Sequence, residues 1–107
     1  MAQLAVSILS NDEQCRHEVS RLLRACGVPI GIVDDRRGDE SPCDVYIIDI
    51  RADASSGMAT IERLRAGRGS AAIFAVAGSA EPDQILQAMR AGANEFFPWP
   101  STGLSKN

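Results

Sequence analysis

Val45-Tyr46-Ile47-Ile48-Asp49 is the stretch that decides the fold. Its apolar run is rich in β-branched and aromatic residues and too short for a helix. It reads as a strand over 45–50, covered on both faces as in a parallel sheet. Asp49 closes that run, a polar loop from Arg51 to Ser56 follows, and Gly57 comes eight residues after Asp49. Met58, Ile61 and Leu64 then recur at helical spacing up to Gly67. A carboxylate therefore stands at the end of a buried strand, above a loop that turns into a helix. In open α/β sheets that edge is where ligands and chemistry collect.

Upstream, Leu4 to Leu9 reads as a first strand, punctuated by Ser10-Asn11-Asp12, any of which can cap the next helix. Cys15, Val19, Leu22, Leu23 and Cys26 form the predicted inner face of that helix, and Gly27 ends it as a C′ residue. Val28 to Val33 is a second strand, with Pro29 pointing to a sheet edge. The charged stretch from Asp34 to Cys43 has no apolar periodicity and reads as a loop.

Downstream, Ala71 to Ala77 is a fourth buried strand whose small residues let a helix pack closely. Pro82 suits a helix first turn, Ile85, Leu86 and Met89 are its predicted inner face, and Gly92 stops it. Glu95-Phe96-Phe97 is a short fifth strand, which Pro98-Trp99-Pro100 is expected to end. Strands alternating with helices imply a parallel sheet with right-handed crossovers. The lengths favour a flavodoxin-like order over a closed barrel.

Composition excludes several functions. The chain has 107 residues, enough for one domain, with 45% hydrophobic and 23% charged residues. A net charge of -3 with interspersed signs gives no electrostatic case for nucleic acid. No apolar stretch reaches the roughly 20 residues of a membrane span, and Met1-Ala2-Gln3-Leu4 does not begin a secretory signal. Cysteines 15, 26 and 43 lack metal spacing and read as reduced thiols of a cytoplasmic protein. His17, the single histidine, sits among charged residues, which argues against histidine catalysis or a zinc site. No cofactor is expected.

Four stretches together resemble the receiver domain of bacterial response regulators, over residues 3 to about 100. They are Val45 to Asp49, Gly57, Ile61-Glu62-Arg63-Leu64-Arg65, and the run from Ala88 through Ala91-Gly92-Ala93-Asn94 to Phe96-Phe97-Pro98-Trp99-Pro100. The resemblance implies a CheY-like three-layer sandwich with five parallel strands in the order 2-1-3-4-5. It also implies a cis bond before Pro100. Two departures are expected: a second helix short or absent at 34–43, and a final helix missing or truncated after residue 100. Residues 1–100 are read as the domain and 101–107 as a tail or the start of a cut helix or linker, the whole being a fragment.

Receiver chemistry needs an acceptor aspartate, an acidic pair that helps it hold Mg²⁺, a hydroxyl and a lysine. Carried over by position, Asp49 is the acceptor, the acidic pair falls on Ser10 and Asn11, the hydroxyl on Ala77 and the lysine on Trp99. Phe96 takes the place of the aromatic switch residue. Losing one preorganised donor in such a site costs roughly 3–4 kcal/mol, so Asp49 is expected to be vestigial and to bind no metal. Asp12 and Ser79 are conceivable substitutes, though each has a local capping use. Arg51 either pairs with Asp49 in place of a metal or is solvated in its loop. Trp99 either plugs the pocket or anchors a partner.

Within degenerate receivers the sequence resembles the N-terminal domain of the CpaE or TadZ pilus assembly proteins, on the residues from Ile85 to Pro98 and on the missing acidic pair. That resemblance implies a non-catalytic interaction and localisation module ahead of a MinD-like ATPase, serving Flp-pilus secretion. The expected partners are a protein or a second copy of the chain, through the uncovered sheet and the Trp99 region, with neither nucleic acid nor membrane insertion. The alternative is a working phosphoacceptor at Asp49 in a two-component phosphorelay. Small-molecule binding at the sheet edge is a third possibility, with no phosphate-cradling loop to support it.

Overall fold

The computed structural model describes residues 3–27, 29–33, 43–67, 70–79 and 81–99. Its elements are β1 (Leu4–Leu9), α1 (Glu13–Arg24), β2 (Ile30–Val33), β3 (Val45–Asp49), α2 (Ala54–Gly67), β4 (Ala72–Ala77), α3 (Pro82–Ala91) and β5 (Glu95–Pro98). The strands form one parallel sheet in the order β2-β1-β3-β4-β5, as expected. Val6 pairs with Val45, Leu9 with Ile48 and Asp49 with Val76, so the ends of β1, β3 and β4 lie side by side.

Because strand side chains alternate, each strand feeds two layers. Tyr46, Ile48, Ile73, Ala75 and Ala77 point to the layer holding Ile61 and Leu64 of α2 and Ala88 of α3. Val6, Ile8, Ile47 and Val76 point the other way, with Val19 and Leu23 of α1 packed against them. Tyr46 is wholly buried, and its hydroxyl accepts the Cys43 N–H at 3.0 Å.

Gly57 lies buried inside α2, where a methyl group would collide with the side chain of Ile50. The glycine eight residues after Asp49 thus lets α2 seat directly against the residue that follows the carboxylate. At the far end Gly92, with φ 128°, turns the chain out of α3. Its carbonyl accepts from Arg65 Nε at 3.0 Å and Nη2 at 2.7 Å, while Arg65 Nη2 also reaches Asn94 Oδ1 at 2.7 Å. That clamp ties α2 to the turn before β5.

Several expected details are corrected. Helix α2 starts at Ala54 rather than after Ser56, with Asp53 Oδ1 accepting the Ser56 N–H at 3.1 Å. In α1 the inward row runs from buried Cys15 to half-buried Val19 and Leu23, while Leu22 and Cys26 are exposed. The contact follows an i+4 ridge, which drifts around the helix away from those two positions. In α3 Ala88 and Ala91 pack on the core and Ile85 is half-buried; Leu86 is 52% and Met89 41% exposed. Small residues face each other there, Ala88 against the alanines of β4, so the long side chains are turned outward.

Helix α1 has its C-cap at Ala25, so Gly27, with φ 81°, stands at C″ rather than at the expected C′. Strand β2 begins at Ile30, after Pro29, whose carbonyl accepts the Leu4 N–H at 3.0 Å. Strand β5 extends one residue further than expected, to Pro98, which pairs with Ala77. The Trp99 N–H donates to Ala77 O at 2.7 Å, so the ladder is inward at Trp99 and the proline nitrogen faces outward. Val28, the 34–42 stretch of the expected loop, Pro100 and the 101–107 tail lie outside the described residues.

Candidate functional site

The carboxyl ends of β1 and β3 open into a cleft of about 910 Å³ whose lining includes Ser10, Asn11, Asp12, Asp49, Arg51 and Gly57. Asp12 is the N-cap of α1, its Oδ1 accepting from the Gln14 N–H at 2.9 Å and the Cys15 N–H at 3.3 Å. Its other oxygen, Oδ2, is left facing the cleft and takes Arg51 Nη2 at 3.0 Å. The capping role and the pocket role thus fall on one carboxylate, one oxygen each.

Asp49 is nearly buried, at 9% side-chain exposure. Ser10 Oγ donates to its Oδ2 at 2.6 Å, and Arg51 Nη2 to the same oxygen at 2.8 Å. Arg51 Nε donates to Oδ1 at 2.8 Å, joined there by the Arg51 backbone N–H at 3.0 Å. Both oxygens are therefore held in a forked guanidinium pair, the strong geometry for arginine with a carboxylate. Arg51 reaches them because Ile50 continues the extended chain, its N–H donating to Val76 O at 2.8 Å. Two residues on from Asp49, the next side chain points the same way.

Trp99 completes the arrangement. Its ring lies over the guanidinium, with Arg51 Cζ 4.5 Å from the centroid, within the range of a cation–π contact. The indole is half-buried and also packs against the layer of Val6, Ile8, Ile47 and Val76. It closes over the pocket's cation.

Burial pushes the Asp49 carboxyl up, but the Arg51 guanidinium, the Ser10 hydroxyl and the Arg51 N–H outweigh it and hold it below its ordinary value. Asp12 is also lowered, first by Arg51 and then by the Cys15 N–H. Arg51 is raised, chiefly by its bonds to Asp49. Cys15, beneath the pocket, has its thiol pushed up by burial and by the nearby Asp49 charge.

No model of a protein family matches the chain. Among curated proteins it is 28% identical, over 110 residues, to the C4-dicarboxylate transport transcriptional regulatory protein DctD of Pseudomonas aeruginosa. That match takes in 96% of this chain but 24% of DctD, so the chain spans about a quarter of its relative. A response regulator from Thermotoga maritima superposes with a TM-score of 0.78 at 14% identity, covering 92% of this chain and 87% of that one. The fold is that of response regulator receivers.

Two pilus proteins share it at higher identity. The pilus assembly protein CpaE of Burkholderia thailandensis has a TM-score of 0.77 at 24% identity, covering 92% of this chain and 87% of that one. A pilus assembly-related protein of Burkholderia pseudomallei has a TM-score of 0.76 at 24% identity, covering 92% and 79%.

Set in the receiver frame, the structure brings Ser10, Asp12, Asp49, Arg51 and Trp99 into one hydrogen-bonded and stacked group. Asn11 lines the cleft but is exposed. Ala77 is buried in the sheet and meets the site only through its backbone, by accepting the Trp99 N–H. Ser79 is spent on Glu81, its hydroxyl 3.5 Å from Oε2. Phe96 is half-buried against the core, while Phe97 faces the opposite layer beside Phe74, with ring centroids 5.6 Å apart.

The residues present do not fit the Mg²⁺ that a receiver holds. Among the described residues no three His, Cys, Asp or Glu side chains converge as a metal group. The oxygens of Asp12 and Asp49 that do converge meet on Arg51 Nη2. Arg16 was missed in the sequence; it follows Asp12 by one helical turn, lines the cleft, and donates from Nη1 to Ile8 O at 2.8 Å. Its i+4 spacing from the capping residue was the available signal.

Proposed function

We propose that this domain is a non-catalytic pseudo-receiver that acts by binding protein partners. The observation that carries the reading is the Asp49 carboxylate, both of whose oxygens are taken by Arg51 and Ser10 beneath the Trp99 ring. Phosphoryl transfer to a carboxylate needs an oxygen free for attack and cations placed on the developing charge. Here the guanidinium bonded to the acceptor neutralises the acceptor itself. Ala77 offers no hydroxyl, and Trp99 carries no charge.

The 24% identity to the two pilus proteins supports a role as the N-terminal part of a CpaE-like or TadZ-like protein of a Flp pilus assembly. Residues 1–100 would then be the receiver-like unit, in the cytoplasm, recruiting a MinD-like ATPase in the same chain to its place in the cell. No helix among the described residues is long and apolar enough to cross a membrane. The coding sequence beyond Asn107 tests this part: a MinD-like ATPase there supports it, and a DNA-binding effector overturns it.

The test of the pocket is beryllofluoride with Mg²⁺, followed by backbone amide NMR on the wild type and on Asp49→Asn. The expected outcome is no saturable shift around Asp49. Saturable shifts that vanish in Asp49→Asn would establish the competing reading, a phosphoacceptor receiver of a two-component phosphorelay.

A further inference from the structure

We propose that Arg51 is a tethered cation that replaces a dissociable one, so that the pocket's charge balance and the position of Trp99 are set within the chain. This rests on the pseudo-receiver reading and deepens it, by naming what controls the site: a side chain rather than a diffusing ion or phosphoryl donor.

Three observations converge on it. Arg51 Nη2 is shared by carboxylates from two separate elements, Asp12 Oδ2 at 3.0 Å and Asp49 Oδ2 at 2.8 Å. Two acids that can share one nitrogen repel each other unless something positive lies between them. The nitrogen therefore marks a cation position defined by oxygen ligands, the kind that a hard divalent ion favours. Second, Nε and the Arg51 N–H hold the remaining Asp49 oxygen at 2.8 and 3.0 Å, which fixes the plane of the guanidinium. A point charge such as an ammonium could not take both positions at once.

Third, that fixed plane is the surface on which Trp99 lies, 4.5 Å from Cζ to centroid. Trp99 is also the residue at which the chain leaves β5, its N–H bound to Ala77 O. A change in occupancy of the cation position would thus be felt at Trp99, the residue that follows β5. In this arrangement Arg51 is a positioning residue, acting on Trp99 from the pocket.

It follows that removing the guanidinium while keeping both carboxylates and Ser10 should open the position to a divalent ion and release the indole. The experiment compares wild type, Arg51→Gln and the double variant Arg51→Gln/Asp49→Asn. Each is titrated with Mn²⁺ and then Mg²⁺, and the emission of the single tryptophan and the thermal midpoint are followed. Arg51→Gln should bind Mn²⁺ at least about tenfold more tightly than wild type, with an ion-dependent rise in midpoint that the double variant loses. Its ion-free indole emission should be shifted to the red of wild type.

A folded Arg51→Gln that ignores both ions and keeps the wild-type emission overturns the inference and leaves the pseudo-receiver reading standing. Saturable binding of Mg²⁺ by wild type, lost in Asp49→Asn, overturns the pseudo-receiver reading itself. Should Arg51→Gln be unfolded without ions, recovery of its far-UV spectrum in Mn²⁺ supports the proposal, and failure to recover overturns it.

Discussion

The two ends of this sheet treat their side chains in opposite ways. At the carboxyl ends of β1 and β3, the groups at the centre of the cleft are matched within the chain: Asp49 by Arg51 and Ser10, Asp12 by its helix and by Arg51, and Arg51 by Trp99. At the α3 and β5 flank three large apolar side chains face solvent. Leu86 and Met89 lie outward on the helix, and Phe97, 44% exposed, lies on the other layer of the edge strand. Polar side chains are paired with one another where a receiver's pocket lies, while apolar side chains are exposed elsewhere. The contrast favours a domain whose specificity resides in its outer faces.

The largest effect should come from striking the scaffold under the pocket. Gly57→Val drives a branched side chain into Ile50 and should cost about 3 kcal/mol in urea unfolding, typical of overpacking at a rigid site. Arg51→Ala should cost about 2 kcal/mol by the same measurement. That is less than the 3–5 kcal/mol typical of breaking a fully buried pair, because the Arg51 side chain remains 20% exposed.

The pH dependence sharpens this second prediction. Asp49 and Asp12 are both lowered in the folded state, so the stability they contribute is complete above the ordinary carboxylate range. It is lost only as pH falls through their lowered values, below about pH 4. The gap in unfolding free energy between wild type and Arg51→Ala should therefore be flat from neutral pH downward and close in that acid window. A gap that closes near pH 6 would mean that another group holds Arg51.

Trp99→Leu keeps an apolar body but loses the stacking face, and should cost about 1 kcal/mol. The smallest effect is expected at the other end of the molecule. Leu86→Gln and Met89→Gln should each change stability by no more than about 0.5 kcal/mol. A loss above 1 kcal/mol at either position would show that α3 buries these residues and would break the contrast.

Much of the fold was legible in the sequence because buried parallel strands are written as continuous apolar runs. Val45 to Ile48 and Ile73 to Ala77 could hardly be anything else, and Gly27 and Gly92 both take the positive φ expected after helices. The helix faces were harder. The reading of α3 followed the largest residues inward, but the alanines of β4 admit Ala88 instead. Size on one element cannot reveal how close its neighbour comes.

The site was half legible. That Asp49 ends its strand follows from hydropathy, and that Arg51 shares its side follows from strand parity if the strand is continued. Whether it does continue depends on one hydrogen bond, from the Ile50 N–H to Val76 O, between residues 26 positions apart in the chain. Asp12 was legible as a cap. Its second oxygen was not, because a cap uses only one and the spacing says nothing about the other.

The proline in β5 carries a consequence for how any neighbour can approach. Because the Trp99 N–H is directed to Ala77, Pro98 turns its ring nitrogen to the outermost side of the sheet, where a sixth strand would look for a donor. A visiting extended segment would find its ladder interrupted there, so zipper-like stacking of copies along this border is disfavoured.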